Sequence, residues 1–239
     1  MVIDMNYRLE KKQILAYHET GFLTINKLFS AQECDDILKI VQQHADPNFS
    51  AILNLDRKVP ELRKVMKSLK IVSILEALQQ AEVVGLQTQA IFKEPRSPYA
   101  SHAWNPHQDN AYFQSSDDAA LNCHIILEDH DINNGCLYGF SGSHKEGIFP
   151  FTHTISYKAK ANTNPGSSVS DEVIKKYSRN KVDFILKKGD VVFMHANTIH
   201  GSYPNLSDRS RPILTMCYIS KGEYFVPGKN AKRMEIPLH

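Results

Sequence analysis

Cysteine is scarce in this sequence, and long apolar runs are missing. Four cysteines are scattered over 239 residues without a Cys-x-x-Cys pair, a pattern typical of reduced, mostly buried thiols in the cytosol. No segment approaches the roughly 20 apolar residues of a membrane span, and the first residues have no apolar signal region. We therefore expect a cytoplasmic protein with no membrane partner.

Charge of one sign is not in excess either. Lysine and arginine number 28 against 26 acidic residues, and no basic run or aromatic-basic pattern is present, so nucleic acid is not an expected partner. The sequence has no internal repeat and no low-complexity tract. Its length predicts one domain over residues 1–239, with a helical part over about 1–81 and a strand-rich part over about 82–221.

The first third of the sequence predicts helices. The clearest start is Ser30-Ala-Gln-Glu33, a capping box in which each side chain satisfies a free amide of the first turn. Behind it an apolar stripe at helical spacing runs towards Ala45. Further helices are predicted over Glu10–His18, from Pro60, and over Ile71–Ala81. We expect these apolar stripes to be packing surfaces.

Short strands dominate from residue 82. Ala119 to Leu127 alternates, with Leu121 and Ile125 on one face and His124 on the other. Residues 142–180 are polar, long and poor in pattern, which is typical of a segment that serves a site. About eight short strands after a helical start predict an α+β domain, a β-barrel or two-sheet jelly roll with the helices packed on it.

A candidate metal motif, His107-Gln-Asp109, lies among the strands. If it lies on a strand, both side chains point to one face, and with a second histidine they would form the two-histidine, one-carboxylate set that binds non-haem iron. The motif alone is weak, since a polar strand end gives the same letters. The candidates for the third ligand are His124, His144, His153, His195 and His200.

Arg211 is a candidate anion-binding residue. If Pro204–Ser210 joins two strands of a hairpin, Ser202 and Arg211 lie nearly opposite each other, and Arg211 enters the interior that contains His200. A buried arginine requires an anion, and its planar fork fits a carboxylate. The alternative is an Arg211 that turns outward and meets Asp208.

Together these motifs resemble the phytanoyl-CoA dioxygenase family of Fe(II)- and 2-oxoglutarate-dependent oxygenases, from Gly21 to Ile219. One departure is Ser141, where the family usually has proline. The stretches that carry the resemblance are Gly21-Phe-Leu-Thr-Ile25, Leu28–Glu33, Asn105–Asp109, Asn134–Leu137, Gly142–Lys145, Gly189–Phe193, His200-Gly-Ser202 and Arg211.

The resemblance implies a double-stranded β-helix and an enzyme that uses Fe(II), 2-oxoglutarate and O2 to hydroxylate a small molecule. By position, the iron ligands would be His107, Asp109 and His200. Arg211 and Ser202 would hold the far carboxylate of 2-oxoglutarate, and His124 and Gln89 are further candidates for cosubstrate contacts, with Lys93 bordering the pocket. The alternative for His124 is a core histidine bonded to a backbone carbonyl. His144 is expected to be structural.

The substrate is less defined. Basic residues outnumber acidic ones between Ser143 and Lys181, which favours an anionic small molecule, although solvated lysines would look the same. Two other functions stay open: a non-catalytic binding module on the same barrel, and a cupin-type metalloenzyme that does not use 2-oxoglutarate. Oligomeric state cannot be read from the sequence.

Overall fold

Helices precede and flank the first strands in the computed structural model, which describes residues 6–46, 50–97, 100, 103–154 and 166–239. Their positions agree with the helices predicted from the sequence, within a few residues at each end. They are α1 Lys11–Thr20, α2 Ala31–Gln42, α3 Pro60–Met66 and α4 Leu69–Gln79.

Helix α2 shows why these predictions hold. The Ser30 hydroxyl accepts a hydrogen bond from the Glu33 amide, and the Glu33 carboxylate accepts one from the Ser30 amide at 2.8 Å. This is the predicted capping box. The apolar stripe behind it is buried at Cys34, Ile37 and Val41, so this face of the helix packs on the core.

Most strands form two antiparallel sheets. The larger has the order β1-β10-β5-β12-β3-β2, and the smaller has the order β4-β11-β6-β9, while β7 and β8 form a separate pair. The strands are β1 Phe22–Ile25, β2 Ala51–Leu53, β3 Val83–Ile91, β4 Trp104–His107, β5 Ala120–Ile126, β6 Leu137–Phe140, β7 Phe151–Thr154, β8 Gly166–Val169, β9 Lys181–Asp183, β10 Val191–His195, β11 His200–Ser202 and β12 Ile213–Ser220.

The six-stranded sheet separates two apolar layers. On one face, Cys123 and Ile125 of β5 belong to the same core cluster as helix residues such as Ile37. On the other face, Ile126 packs with Leu137 of the smaller sheet. The fold is therefore a double-stranded β-helix, with the helices covering the outer face of one sheet, as the sequence predicts.

Alternation along β5 positions the site. Because successive side chains of a strand point to opposite faces, Asn122 and His124 project towards the four-stranded sheet, on the side of Ile126. The gap between the two sheets thus receives polar side chains from a strand that is fully buried. These side chains line the interior in which the candidate ligands lie.

The described residues of the segment 142–180 form more regular elements than the sequence predicts. They include the β7–β8 hairpin and helix α6, Asp171–Tyr177, whose Ser170 hydroxyl accepts a hydrogen bond from the Val173 amide. These elements are short, and their patterns are too brief to stand out from a polar loop. None of the helices in the described part of the chain has the length and apolar character needed to cross a membrane.

Candidate active site

The structure brings His107, Asp109 and His200 together. One ligand atom from each lies within 4.8 Å of the others. His107 Nε2 lies 3.5 Å from Asp109 Oδ1, and His200 Nε2 lies 3.6 Å from Asp109 Oδ2. The centroids of the two imidazole rings are 4.4 Å apart. Two imidazole nitrogens and a carboxylate thus converge on one point.

The two histidines face each other across a strand pair. His107 is the last residue of β4 and His200 the first of β11, and the antiparallel register makes them direct partners. Pairing of distant segments therefore brings together residues that are 93 positions apart. This is why sequence spacing alone could not select His200 among the five candidates for the third ligand.

The prediction that His107 and Asp109 lie on the same strand is wrong for Asp109. Asp109 does not lie on β4 but in helical conformation, at φ −67° and ψ −29°, as the N-cap of a short helix, α5 Asn110–Phe113. The chain turns there because the Asn110 amide donates to the carbonyl of Ala196, next to β10. This turn, not the two-residue repeat of a strand, directs the carboxylate towards the histidines.

Backbone carbonyls fix the tautomers of both histidines. The Nδ1 atom of His107 lies 2.7 Å from the carbonyl oxygen of Asn105, and that of His200 lies 3.0 Å from the carbonyl oxygen of Thr198. A carbonyl can only accept, so each Nδ1 carries the proton and each Nε2 keeps its lone pair. Both rings are therefore prepared to bind a cation through Nε2.

The three side chains of the cluster shift one another's pKa values. Burial alone would raise the pKa of Asp109, but His200 and His107 hold it well below the usual range. Burial lowers the pKa of His200. Burial also acts to lower the pKa of His107, but hydrogen bonding and attraction to Asp109 outweigh it and leave that pKa raised. The cluster thus offers a partly buried carboxylate beside the neutral imidazole of His200, and a divalent cation can take the place of the proton that Asp109 favours on His107.

Two side chains that sequence reasoning missed support the motif. The Asn122 amide on β5 donates to Asp109 Oδ2. The Gln108 amide donates to the carbonyls of Asn197 and Gly147, and its oxygen accepts from the Phe149 amide. The sequence signal for Asn122 was a polar residue, with His124, in a strand whose other residues are apolar.

Arg211 is buried, although not by the predicted hairpin. β11 pairs with β4 and β6, whereas β12 pairs with β3 and β5, so Ser202 and Arg211 approach each other from different sheets. The outward alternative with Asp208 is wrong, because Arg211 is 1% exposed. Among the residues that the structure describes, no hydrogen-bond partner is found for its Nε and Nη1 atoms or for Ser202 Oγ.

His124 and Gln89 reach the same pocket. His124 Nδ1 lies 2.9 Å from the Thr215 hydroxyl, and its buried Nε2 has no partner within the described part of the chain, where the alternative bond to a backbone carbonyl is therefore not formed. Burial, followed by repulsion from His200, lowers the pKa of His124 to about 3, which keeps it neutral. The pocket is lined by Gln89, Ile91, Trp104, His107, Asp109, His124, Leu137, His200, Gly201, Ser202, Arg211, Ile213 and Thr215.

Two further candidate histidines, His144 and His195, form contacts outside this pocket. His144 Nε2 lies 3.1 Å from the carbonyl oxygen of His18, and His195 Nε2 lies 3.2 Å from Asp118 Oδ1. His144 therefore ties the turn after β6 to the end of α1, which fits the expected structural role. His102 is outside the described residues.

Three of the basic residues described in the 143–181 segment contact other side chains of the protein. Lys145 pairs with Glu19 at 2.6 Å, and Lys176 pairs with Glu146. Lys181 donates to the Tyr203 hydroxyl at 2.6 Å. Lys158 and Lys160, which contribute to the excess of basic residues in this segment, lie outside the described residues. The excess of basic residues is therefore weaker support for an anionic substrate than the sequence suggested.

The fold and the site together define a jelly-roll protein with a two-histidine, one-carboxylate centre, the arrangement typical of non-haem Fe(II) oxygenases. The family model described as phytanoyl-CoA dioxygenase matches residues 17–213. The chain belongs to this family, as its motifs predicted.

Curated relatives agree with this assignment. The chain is 28% identical over 171 residues to a mouse protein named phytanoyl-CoA dioxygenase domain-containing protein 1, covering 71% of the chain and 56% of the relative. It is 29% identical over 157 residues to rice phytanoyl-CoA dioxygenase 1, covering 66% of the chain and 52% of the relative. The matched regions thus span about half the length of these relatives.

Solved structures share the fold at low identity. The epimerase SnoN, in a complex with Fe3+, alpha ketoglutarate and nogalamycin RO, has a TM-score of 0.74 and 18% identity, over 96% of this chain and 95% of that one. EvdO2 from Micromonospora carbonacea var. aurantiaca, complexed with 2-oxoglutarate, has a TM-score of 0.73 and 19% identity, over 96% and 98%.

Proposed function

We propose that this protein is an Fe(II)- and 2-oxoglutarate-dependent dioxygenase that hydroxylates an aliphatic C–H bond of a small molecule. The observation that carries the proposal is the meeting of three metal-binding side chains beside a buried arginine whose Nε and Nη1 atoms have no partner in the described residues. Membership of the phytanoyl-CoA dioxygenase family supports it. We also propose a cytosolic location and one functional domain over residues 1–239.

The residues present fit these groups. His107, Asp109 and His200 would hold Fe(II), because their donor set is the one that non-haem iron uses. Arg211 and Ser202 would hold the far carboxylate of 2-oxoglutarate, and His124 Nε2 offers one more buried polar atom without a partner. A dicarboxylate would satisfy atoms that are otherwise costly to bury.

The chemistry comes from the bound groups. When bound, Fe(II), 2-oxoglutarate and O2 supply an oxidation in which 2-oxoglutarate becomes succinate and CO2 and a substrate C–H becomes C–OH. The protein holds the two Nε2 lone pairs towards the metal through the Nδ1 bonds to backbone carbonyls. It also keeps the ligands buried, which limits water around them.

Replacing Asp109 by alanine tests this proposal. We expect Asp109→Ala to abolish Fe(II)-dependent succinate formation, because the metal loses its anionic ligand. Asp36→Ala, at an exposed position of α2, should leave succinate formation unchanged. Succinate release is measured with Fe(II), ascorbate and 2-oxoglutarate over a panel of neutral and anionic candidate substrates. Turnover that survives in Asp109→Ala would contradict the ligand assignment.

A visible charge-transfer band separates the alternatives. We expect the anaerobic Fe(II) protein to give this band on addition of 2-oxoglutarate. A cupin-type enzyme that does not use 2-oxoglutarate would give none. A non-catalytic binding module would give the band without succinate on later exposure to O2.

A further inference from the structure

Lys93 and Arg211 lie just beyond the same end of a pocket-lining strand pair, Lys93 two residues after β3 and Arg211 two residues before β12. β3 and β12 pair antiparallel, with Thr215 opposite Gln89 and Ile213 opposite Ile91. These four residues line the pocket. Continuing the same register by two residues would bring Arg211 opposite Lys93, on the face shared by Gln89 and Ile91.

Both cationic side chains are buried. Each residue is 1% exposed, and Arg211 is close enough to Lys93 to disfavour its charged form, because like charges held near each other in the interior destabilise each other. Lys93 Nζ donates to the Tyr203 carbonyl, and its stem packs on Gly135, where an added Cβ would lie 2.9 Å from Lys93 Cδ. Among the described residues, neither cation forms an ion pair with a carboxylate.

The groups around the pair leave one cation without a counter-charge. Burial, followed by repulsion from Arg211, lowers the pKa of Lys93 to about 5, so the amine is neutral at pH 7 while Arg211 keeps its charge. Among the described residues, the Cys136 thiol also acts on Lys93 and favours its charged form. His130, beside Arg211, has its pKa held low by burial and then by that arginine.

The acidic groups nearby have other partners. The adjacent Glu94 accepts a hydrogen bond from the Ser210 hydroxyl at 2.6 Å. Asp183 accepts one from the Tyr203 hydroxyl at 2.8 Å. A second cation at Lys93 is therefore unfavourable until an anion enters the pocket.

We infer that Lys93 is the proton-accepting half of the anion site, and that it takes one proton from solvent when the far carboxylate of 2-oxoglutarate meets Arg211. This rests on the proposed function. The carboxylate offsets the charge of Arg211 and attracts a new cation, so the ammonium form of Lys93 becomes favourable. Binding with proton uptake implies that the affinity for 2-oxoglutarate falls as pH rises.

Calorimetry measures this proton directly. Titration of 2-oxoglutarate into the anaerobic Fe(II) protein near pH 7, in buffers of different ionisation enthalpy, gives the number of protons taken up. We expect about half a proton to one proton for the wild type, and a count lower by that amount for Lys93→Met. Lys181→Met is the matched control, because Lys181 also contacts Tyr203, through its hydroxyl, and should keep the wild-type count.

Each outcome has a distinct meaning. A wild type that binds 2-oxoglutarate with no proton uptake from pH 6 to 8 overturns the inference without any variant, so the test holds even if Lys93→Met does not fold. An equal count in the wild type and Lys93→Met overturns it as well. A wild type that does not bind 2-oxoglutarate contradicts the proposed function instead.

Discussion

At the scale of single residues, the site depends on hydrogen bonds that orient the candidate ligand side chains. The His107 and His200 rings are oriented by backbone carbonyls, and Asp109 is oriented by the Asn122 amide. Such supporting bonds keep ligands in the geometry that a metal needs before the metal arrives. They also explain why a carboxylate at a helix start can serve the site as well as one on a strand.

Asn122 provides the test at this scale. We expect Asn122→Ala to weaken Fe(II) affinity by about 10- to 100-fold, because the Asp109 carboxylate loses the bond that orients it. The measurement is Fe(II) binding under anaerobic conditions, with the wavelength of the 2-oxoglutarate charge-transfer band as a second readout. Asn180→Ala, at an exposed position, is the control. Unchanged affinity and an unshifted band would show that the bond does not orient the ligand.

The sequence was sufficient to predict the motif residues of the site, but not the residues that orient them by hydrogen bonds. His107, Asp109, His200 and Arg211 belong to motifs with a recognisable chemistry, and the structure brings all four into one pocket. Asn122 contributes because β5 happens to lie beneath the α5 turn, and this depends on strand order. Local patterns carry no information about which strands become neighbours.

At the scale of elements, the turn before β10 is tightly constrained. Gly189 has φ +92°, and an added Cβ would lie 2.2 Å from the Phe29 carbonyl oxygen. The Phe29 amide also donates to the Gly189 carbonyl at 3.0 Å. The close approach of two backbones, together with a left-handed conformation, requires glycine.

Gly189→Ala tests this constraint against a matched control. Gly222 has a similar φ of +85° but nothing within 4 Å of an added Cβ. We expect Gly222→Ala to cost about 1 kcal/mol of unfolding free energy, from backbone strain alone. Gly189→Ala should cost about 1–3 kcal/mol more. Urea unfolding measures both, and equal losses would show that the Phe29 contact relaxes without cost.

The elements also show what local patterns can predict. Helix α2 was predicted with its cap because capping chemistry and the apolar stripe are both local. β11 and β12 were predicted as strands, but their pairing as a hairpin was wrong, because the chain between them crosses from one sheet to the other. A short polar connection has the same appearance in a hairpin and in a crossover.

At the scale of the whole molecule, buried histidines make stability depend on pH. Burial lowers the pKa of His195 to about 4, and the pKa of His130 is also well below its usual range. The unfolded chain binds these protons near pH 6.5, whereas the folded chain does not. Their contribution to stability is therefore present above pH 6.5 and is lost as pH falls towards 4.

This predicts a loss of stability in mild acid. We expect the unfolding free energy of the metal-free protein to fall between pH 7 and pH 5, by up to about 1.4 kcal/mol per pH unit for each buried histidine. His107 opposes the trend, because its pKa is raised. Urea unfolding at a series of pH values measures the slope. A stability that stays constant or rises over this range would contradict the prediction.

The division of the pocket between two sheets has a mechanical consequence. His107, His200 and Ser202 lie on the four-stranded sheet, while Gln89, His124 and Thr215 lie on the six-stranded one. A dicarboxylate bound at one end to the metal and at the other to Arg211 would link the two sheets and resist displacement of one sheet relative to the other. Apolar contacts between the sheets are non-directional, whereas a bound dicarboxylate would set the distance between its two attachment points.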